Sequence, residues 1–291
     1  MKKNYSLNIA ATLPLILLIL SCTAPKGTAL PENPLSKKQA AEQSDMILQQ
    51  WTDSVSAATA GIVKNKKIAL GGLTMPLAWT VRSDEGEEDL ALFISLHGGG
   101  GAPAEVNDQQ WLNQQVLYTP RLNDGQWRNQ QVLYRPRNAV YLCPRAPFNT
   151  WDLHFRPECD AFYRQIIRMA VAHLHVNPDK VYIMGYSAGG DGVWRLAPRM
   201  ADTWAAASMM AGHPGDVSLV NLRNLPFSVW CGENDAAYER NLRCRERIEE
   251  MDSLHRADLD GYIYEGHMVA GKGHWMDRVD TAAVSWMETF A

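Results

Sequence analysis

Residues 185–190 read Gly-Tyr-Ser-Ala-Gly-Gly, directly after the β-like run Lys-Val-Tyr-Ile-Met-Gly and directly before a helical pattern. A strand that ends on glycine and passes at once into a helix needs a sharp, strained turn. Small flanking residues are required so that the crowded backbone can pass. A bare G-x-S-x-G arises by chance about once in ten chains of this length, so the strand before it and the helix after it carry the weight. The chain must therefore set the C-terminal end of a strand against the N-terminal end of a helix, with a serine thrust out at the apex.

The rest of the chain agrees with a mixed α/β architecture. After a helix predicted from Lys37 to about Ala60, β-like runs fall at Lys67–Leu70, Leu77–Arg82, Leu90–Leu96, Ala139–Cys143, Lys180–Gly185, Ala205–Ala211, Pro226–Cys231 and Gly261–Tyr264. Between them, Ala161–Val176 carries apolar residues at spacings of three and four, and Tyr238–Leu254 reads as a charged surface helix. Strands alternating with helices predict a mostly parallel, twisted sheet with helices on both faces.

A serine hydroxyl needs a base to take its proton and a carboxylate to orient that base. His274, in the glycine-rich stretch Gly271-Lys272-Gly273-His274-Trp275 after the last run, is the expected base. His267 and His255 read as structural, and His213, after the run that follows Ser187, as a pocket residue. Asp235, just past a strand end in Trp230-Cys231-Gly232-Glu233-Asn234-Asp235, is the expected acid, with Glu233 and Asp277 as fallbacks. Charge developing on a substrate oxygen needs backbone N–H donors. Ala188, after the serine, supplies one. The other is expected from His97-Gly98-Gly99-Gly100-Gly101, after the run Leu-Ala-Leu-Phe-Ile-Ser-Leu.

With these residues in place the chain resembles the α/β-hydrolase superfamily. Its segment 177–190 is similar to the extracellular polyhydroxybutyrate depolymerase and feruloyl or acetylxylan esterase group, over about Leu90 to Asp277. The resemblance implies a serine carboxylesterase working through an acyl-enzyme, with Ser187 as nucleophile, His274 as base, Asp235 as acid, and Gly99 with Ala188 as oxyanion donors. It implies an α/β-hydrolase fold and no cofactor. Acyl or feruloyl esters of carbohydrate are the expected substrates, with Trp151, Tyr186 and His213 as substrate-binding residues. The alternatives are a serine peptidase of the prolyl oligopeptidase type, a polyester depolymerase, and a binding protein on a dead hydrolase fold.

Lys2 and Lys3 precede a 12-residue apolar run, Ile9–Leu20, far short of the roughly 20 residues a membrane-spanning helix needs. Residues 1–21 therefore read as a signal peptide. The sequence Ile19-Leu20-Ser21-Cys22 resembles the bacterial lipoprotein signal, with Cys22 as the lipidation site, residues 22–36 as a tether and 37–291 as one catalytic domain. The expected location is the bacterial cell envelope, with a membrane reached through the lipid alone. With 28 Lys+Arg against 32 Asp+Glu the net charge is −4, which offers no basic field to nucleic acid. No Cys-x-x-Cys or paired-His spacing points to a metal. Export permits disulfides among Cys143, Cys159, Cys231 and Cys244, whose pairing spacing cannot choose. Cys143 and Cys231, in apolar runs, read as small buried thiols.

One segment stands apart. Asn107–Arg121 recurs as Asn123–Arg137 with 12 of 15 positions identical, an internal duplication spanning 107–137. Each copy opens on Asn-Asp, a good N-cap, and closes on a Pro, so each is expected to form a helix of about three turns. Either the second copy is a tandem duplication of little consequence, or it helps to cover the pocket.

Overall fold

The computed structural model describes residues 34–83, 86, 88–116 and 134–290. Residues 1–33, and with them the signal peptide, Cys22 and most of the tether, lie outside these, as does the repeat from 117 to 133. Contacts divide the chain into two units, 1–47 and 48–291. Helix α1 (Lys37–Asn65) begins in the first, runs into the second, and opens on a reciprocal cap. The Gln39 N–H donates to Ser36 Oγ at 3.3 Å, and the Ser36 N–H donates to Gln39 Oε1 at 3.0 Å. The helix outruns its expected end at Ala60 and stops at Lys66, whose φ of 48° breaks the turn.

The second unit is built on an eight-stranded sheet. Its strands are β1 (Lys67–Leu70), β2 (Leu73–Arg82), β3 (Leu90–Leu96), β4 (Ala139–Pro144), β5 (Val176–Tyr186), β6 (Ala206–Met210), β7 (Phe227–Gly232) and β8 (Tyr264–Val269). They lie in the order β1-β2-β4-β3-β5-β6-β7-β8. β1 and β2 are antiparallel to their neighbours, and every later pairing is parallel. The helices are α2 (Ala104–Val116), α3 (Cys159–His173), α4 (Ala188–Arg199), α5 (Arg240–Ala257) and α6 (Ala282–Met287).

β3 and β4 are buried at every position because both faces of the sheet are covered. Alternate residues divide between the two faces. Leu92, Ile94 and Leu96 join a core with Phe162 and Ile166 of α3, Val193 and Trp194 of α4 and Met251 of α5. Phe93, Tyr141, Tyr182 and Met184 join the opposite core with Val284 and Met287 of α6, against which Trp111 of α2 packs. This is the α/β-hydrolase fold expected above.

Several boundaries move. β5 begins four residues before the predicted Lys180, because Val176 pairs with Leu90 across a register shift that tolerates Asn177-Pro178-Asp179. That also ends α3 at His173, short of the expected Val176. The last strand is Tyr264–Val269, where Gly261–Tyr264 was expected. It is an edge strand without a fully buried position, so it lacks the apolar run that marks a central strand. Asn107 is no N-cap: α2 starts at Ala104, and the Asn107 N–H already donates to the Pro103 carbonyl at 3.2 Å. Pro103 and the glycines before it stop the chain and let the helix begin earlier.

Candidate active site

The parallel order of β3, β5, β6, β7 and β8 brings the loops after these strands to one edge of the sheet. The turn from β5 to α4 places Ser187 there at φ 58°, ψ −123°, a conformation that L-residues adopt only where the surroundings enforce it. Its N–H donates to the Met210 carbonyl at 2.9 Å, and its carbonyl accepts from the Asp191 N–H at 3.0 Å. Gly189 makes this passage sterically open: a Cβ there would stand 2.1 Å from the Leu96 carbonyl oxygen.

The loop after β8 brings His274 over the serine. Its Nε2 lies 2.9 Å from Ser187 Oγ, and its Nδ1 lies 2.7 Å from Asp235 Oδ2. This geometry assigns the proton to Nδ1, which donates to the carboxylate, and leaves Nε2 to accept from the serine hydroxyl. Asp235 sits in the loop after β7. The two loops are stitched together: the Glu233 N–H donates to the Val269 carbonyl at 3.0 Å and the Asn234 N–H to the Lys272 carbonyl at 2.7 Å. Asp235 is the carboxylate that reaches His274. Glu233 accepts instead from the Gly271 N–H at 3.0 Å and braces the histidine loop, while Asp277 pairs with Lys272.

Asp235 is nearly fully buried. Burial pushes its carboxyl up, but the His274 hydrogen bond and charge and the Arg240 guanidinium outweigh this, and the net shift is downward. The carboxylate form is thereby favoured.

The glycine loop after β3 lies against the serine: a Cβ on Gly98 would meet Ser187 Cβ at 3.4 Å. Gly99 and Gly100 take φ of 112° and 108°. Asn107 of α2 holds the loop. Its Oδ1 accepts from the Gly100 N–H at 2.9 Å, and its Nδ2 donates to the carbonyls of Gly100 and Ala102 at 3.1 and 3.0 Å. The Gly100 N–H is thereby committed within the loop and is not free for a substrate oxygen. Ala188 opens α4, whose first N–H groups have no acceptor within the helix. Buried His97 fixes the start of the loop. Its Nδ1–H donates to the Gly98 carbonyl at 2.6 Å, and its Nε2 accepts from the Ala146 N–H at 3.1 Å. Burial pulls its pKa down to about 4, so the ring is neutral. His154, also buried, donates from Nε2 to the His97 carbonyl at 2.9 Å.

Aromatic side chains rim the site. Trp151, 42% exposed, covers Gly100, where a Cβ would meet its ring at 2.9 Å, and its ring centroid lies 5.4 Å from that of Tyr238. Tyr186 packs its ring 5.7 Å from His274 and 6.2 Å from Trp275, and its hydroxyl donates to the His274 carbonyl. It braces the loop that carries His274. His213 is half-buried beside the serine helix: its N–H donates to Asp191 Oδ1 at 2.6 Å, and its Nδ1 accepts from the Gly215 N–H at 2.9 Å. His267 lies within β8, stacked on Trp230 at 3.7 Å.

Asn107, His154, Tyr238 and Arg240 escaped the sequence reading. Only Asn107 leaves a signal in the sequence, where Asn-Asp reads as a helix cap. The four cysteines named above are free and buried.

The fold has solved counterparts. A thermostable esterase superposes with a TM-score of 0.55 at 18% identity, over 77% of this chain and 61% of its own. The chain thus aligns with about three-fifths of that esterase's length. Fungal esterases from Rhizomucor miehei superpose with a TM-score of 0.51 at 14% identity, over 89% of this chain and 98% of theirs. The fluorophosphonate-binding serine hydrolase F of Staphylococcus aureus does so with a TM-score of 0.50 at 13% identity, over 76% of this chain and 96% of its own. At such identities the likeness carries the fold, which is that of the α/β-hydrolases. No protein-family model and no curated protein matches the sequence.

Proposed function

We propose that the chain is a serine carboxylesterase. One observation carries the proposal: the Ser187 hydroxyl, held at a strained apex, lies 2.9 Å from His274 Nε2, and His274 Nδ1 lies 2.7 Å from Asp235 Oδ2. His274 Nε2 takes the serine proton as Oγ attacks the ester carbonyl, and Asp235 balances the imidazolium that forms. The N–H groups of Gly99 and Ala188 hold the oxyanion. His274 then passes the proton to the departing alcohol, and water repeats the sequence to release the acid from Ser187. A fluorophosphonate probe tests this: it labels the wild type and misses Ser187→Ala. A folded Ser187→Ala variant loses about 10⁴-fold or more of its esterase activity. Labelling or turnover that survives the substitution overturns the assignment.

The alcohol or acyl side of the substrate is a sugar or a phenolic acid, a reading supported by Trp151, Tyr238 and Trp275, all well exposed at the rim. Flat rings beside polar loops suit such faces. Trp151→Ala is expected to lower kcat/KM on acetylated or feruloylated oligosaccharides more than on a small nitrophenyl ester, and an equal loss on both rejects it. An ester against peptide panel separates esterase from peptidase.

Export and lipidation at Cys22 rest on Lys2, Lys3 and the short apolar run of 9–20. Metabolic labelling with a fatty-acid analogue that marks wild type and Cys22→Ser alike refutes the anchor.

A further inference from the structure

We infer that Arg240 is a positioning residue of this site: its guanidinium fixes the Asp235 carboxylate on His274 and sets a permanent positive charge beside the base. The inference rests on the catalytic reading above. Arg240 is the first residue of α5, and its side chain is 4% exposed, against 2% for Asp235. The two are only five residues apart. The chain returns between them through Tyr238 and Glu239, both left-handed at φ 56°, a conformation that costs non-glycine residues energy.

The carboxylate oxygens are divided between two partners. Arg240 NH1 donates to Oδ1 at 2.7 Å, which leaves Oδ2 for His274 Nδ1 at 2.7 Å. A carboxylate held at one oxygen only could rotate out of the imidazole plane, and 1 Å of misplacement in such a site costs about 10²-fold in rate. The same NH1 stands 3.3 Å from His274 Nδ1. Asp235 therefore faces two cations whenever His274 is protonated and can neutralise one.

The other charged groups around the guanidinium are known. Asp191 of α4 and His213 of the loop after β6 both feel its field. On its own side of the site, the Tyr238 ring lies 5.7 Å away, and Glu239 is engaged by Arg243 at 2.7 Å. Asp235 is thus the carboxylate hydrogen-bonded to Arg240. Orientation is the effect that follows: the held carboxylate fixes His274 Nδ1 and so aims Nε2 at Ser187 Oγ.

Arg240→Gln and Arg240→Lys test this. The measurement is kcat and KM on one nitrophenyl ester, with fluorophosphonate labelling of Ser187 as the check that the site has assembled. Arg240→Gln is expected to lower kcat about 10- to 100-fold with KM within about twofold. Arg240→Lys, which keeps a donor for the carboxylate, recovers part of kcat. With Asp235→Asn in place, Arg240→Gln costs little further kcat, because Arg240 acts through that carboxylate; the same comparison serves if Arg240→Gln alone does not fold. A kcat undiminished in Arg240→Gln overturns the inference, as does a full additional loss in the Asp235→Asn background. Failure of the wild type to label or to cleave esters strikes the catalytic reading instead.

Discussion

At the residue scale, Asp191 shows how much of this site is charge management. It lies one helical turn after Ser187 and is buried. Oδ1 accepts from the His213 N–H, and Oδ2 has no partner among the described residues. Burial raises its pKa from 3.8 to about 6, against the pull of the His213 N–H and of Arg240. The folded chain thus holds this proton more tightly than the unfolded chain. The resulting stabilisation is complete below about pH 4 and is lost as pH rises through about 6. A shift of this size corresponds to on the order of 3 kcal/mol. An asparagine has no charge to bury. The Tm of Asp191→Asn relative to wild type is therefore expected to climb between pH 4 and 7. A difference that stays constant across that range contradicts the buried carboxyl as its source.

At the scale of elements, α2 is the part whose placement most affects the site. Because it starts at Ala104, Asn107 faces back onto the glycine loop and also donates to Asn149 Oδ1 at 3.2 Å. Arg145 ties the same region together, with Nε donating to Asp108 at 2.7 Å and NH2 to Asn149 at 2.6 Å. One helix turn thus holds both the glycine loop and the loop carrying Trp151. Asn107→Ala leaves the buried Gly100 N–H without its acceptor, which costs about 1–3 kcal/mol. It also frees Gly99 to move. The expected result is a lowered Tm, with kcat down about tenfold or more at nearly unchanged KM. A fall in Tm with undiminished kcat limits Asn107 to a structural role.

At the scale of the whole molecule, stability rests on the two apolar cores and not on cross-links. Cys143, Cys159, Cys231 and Cys244 are free and buried. Burial pushes the thiols of Cys143 and Cys159 up, the latter to about 12, and a hydrogen bond with Cys231 together with burial raises that of Cys244. Thiol reagents need the thiolate and access to it. All four are therefore expected to stay unreactive in the folded protein and to react in denaturant, with Tm unaffected by reductant. A Tm that falls on reduction reveals a disulfide. No helix among the described residues is long and apolar enough to cross a membrane.

The sequence alone determined what depends on neighbours along the chain. The strand, small-residue turn and helix around Ser187 are legible because a strained backbone turn needs glycines next to it. The run that builds β3 is legible because a strand covered on both faces is apolar at nearly every position. The parallel sheet and the choice of Ser187 and His274 as candidate site residues follow from such local signals. Tertiary structure decided what depends on which loops meet. The sequence prefers Asp235 and leaves Glu233 and Asp277 as fallbacks, and the stitching of the β7 and β8 loops sets Asp235 on His274 and the others in the frame around it. The partners Arg240, Asn107 and His154 were illegible because a buried polar residue declares itself only through the groups it faces. β8 was misplaced for a related reason: an edge strand is stabilised by hydrogen bonds to one neighbour, and these leave no apolar imprint in its own residues.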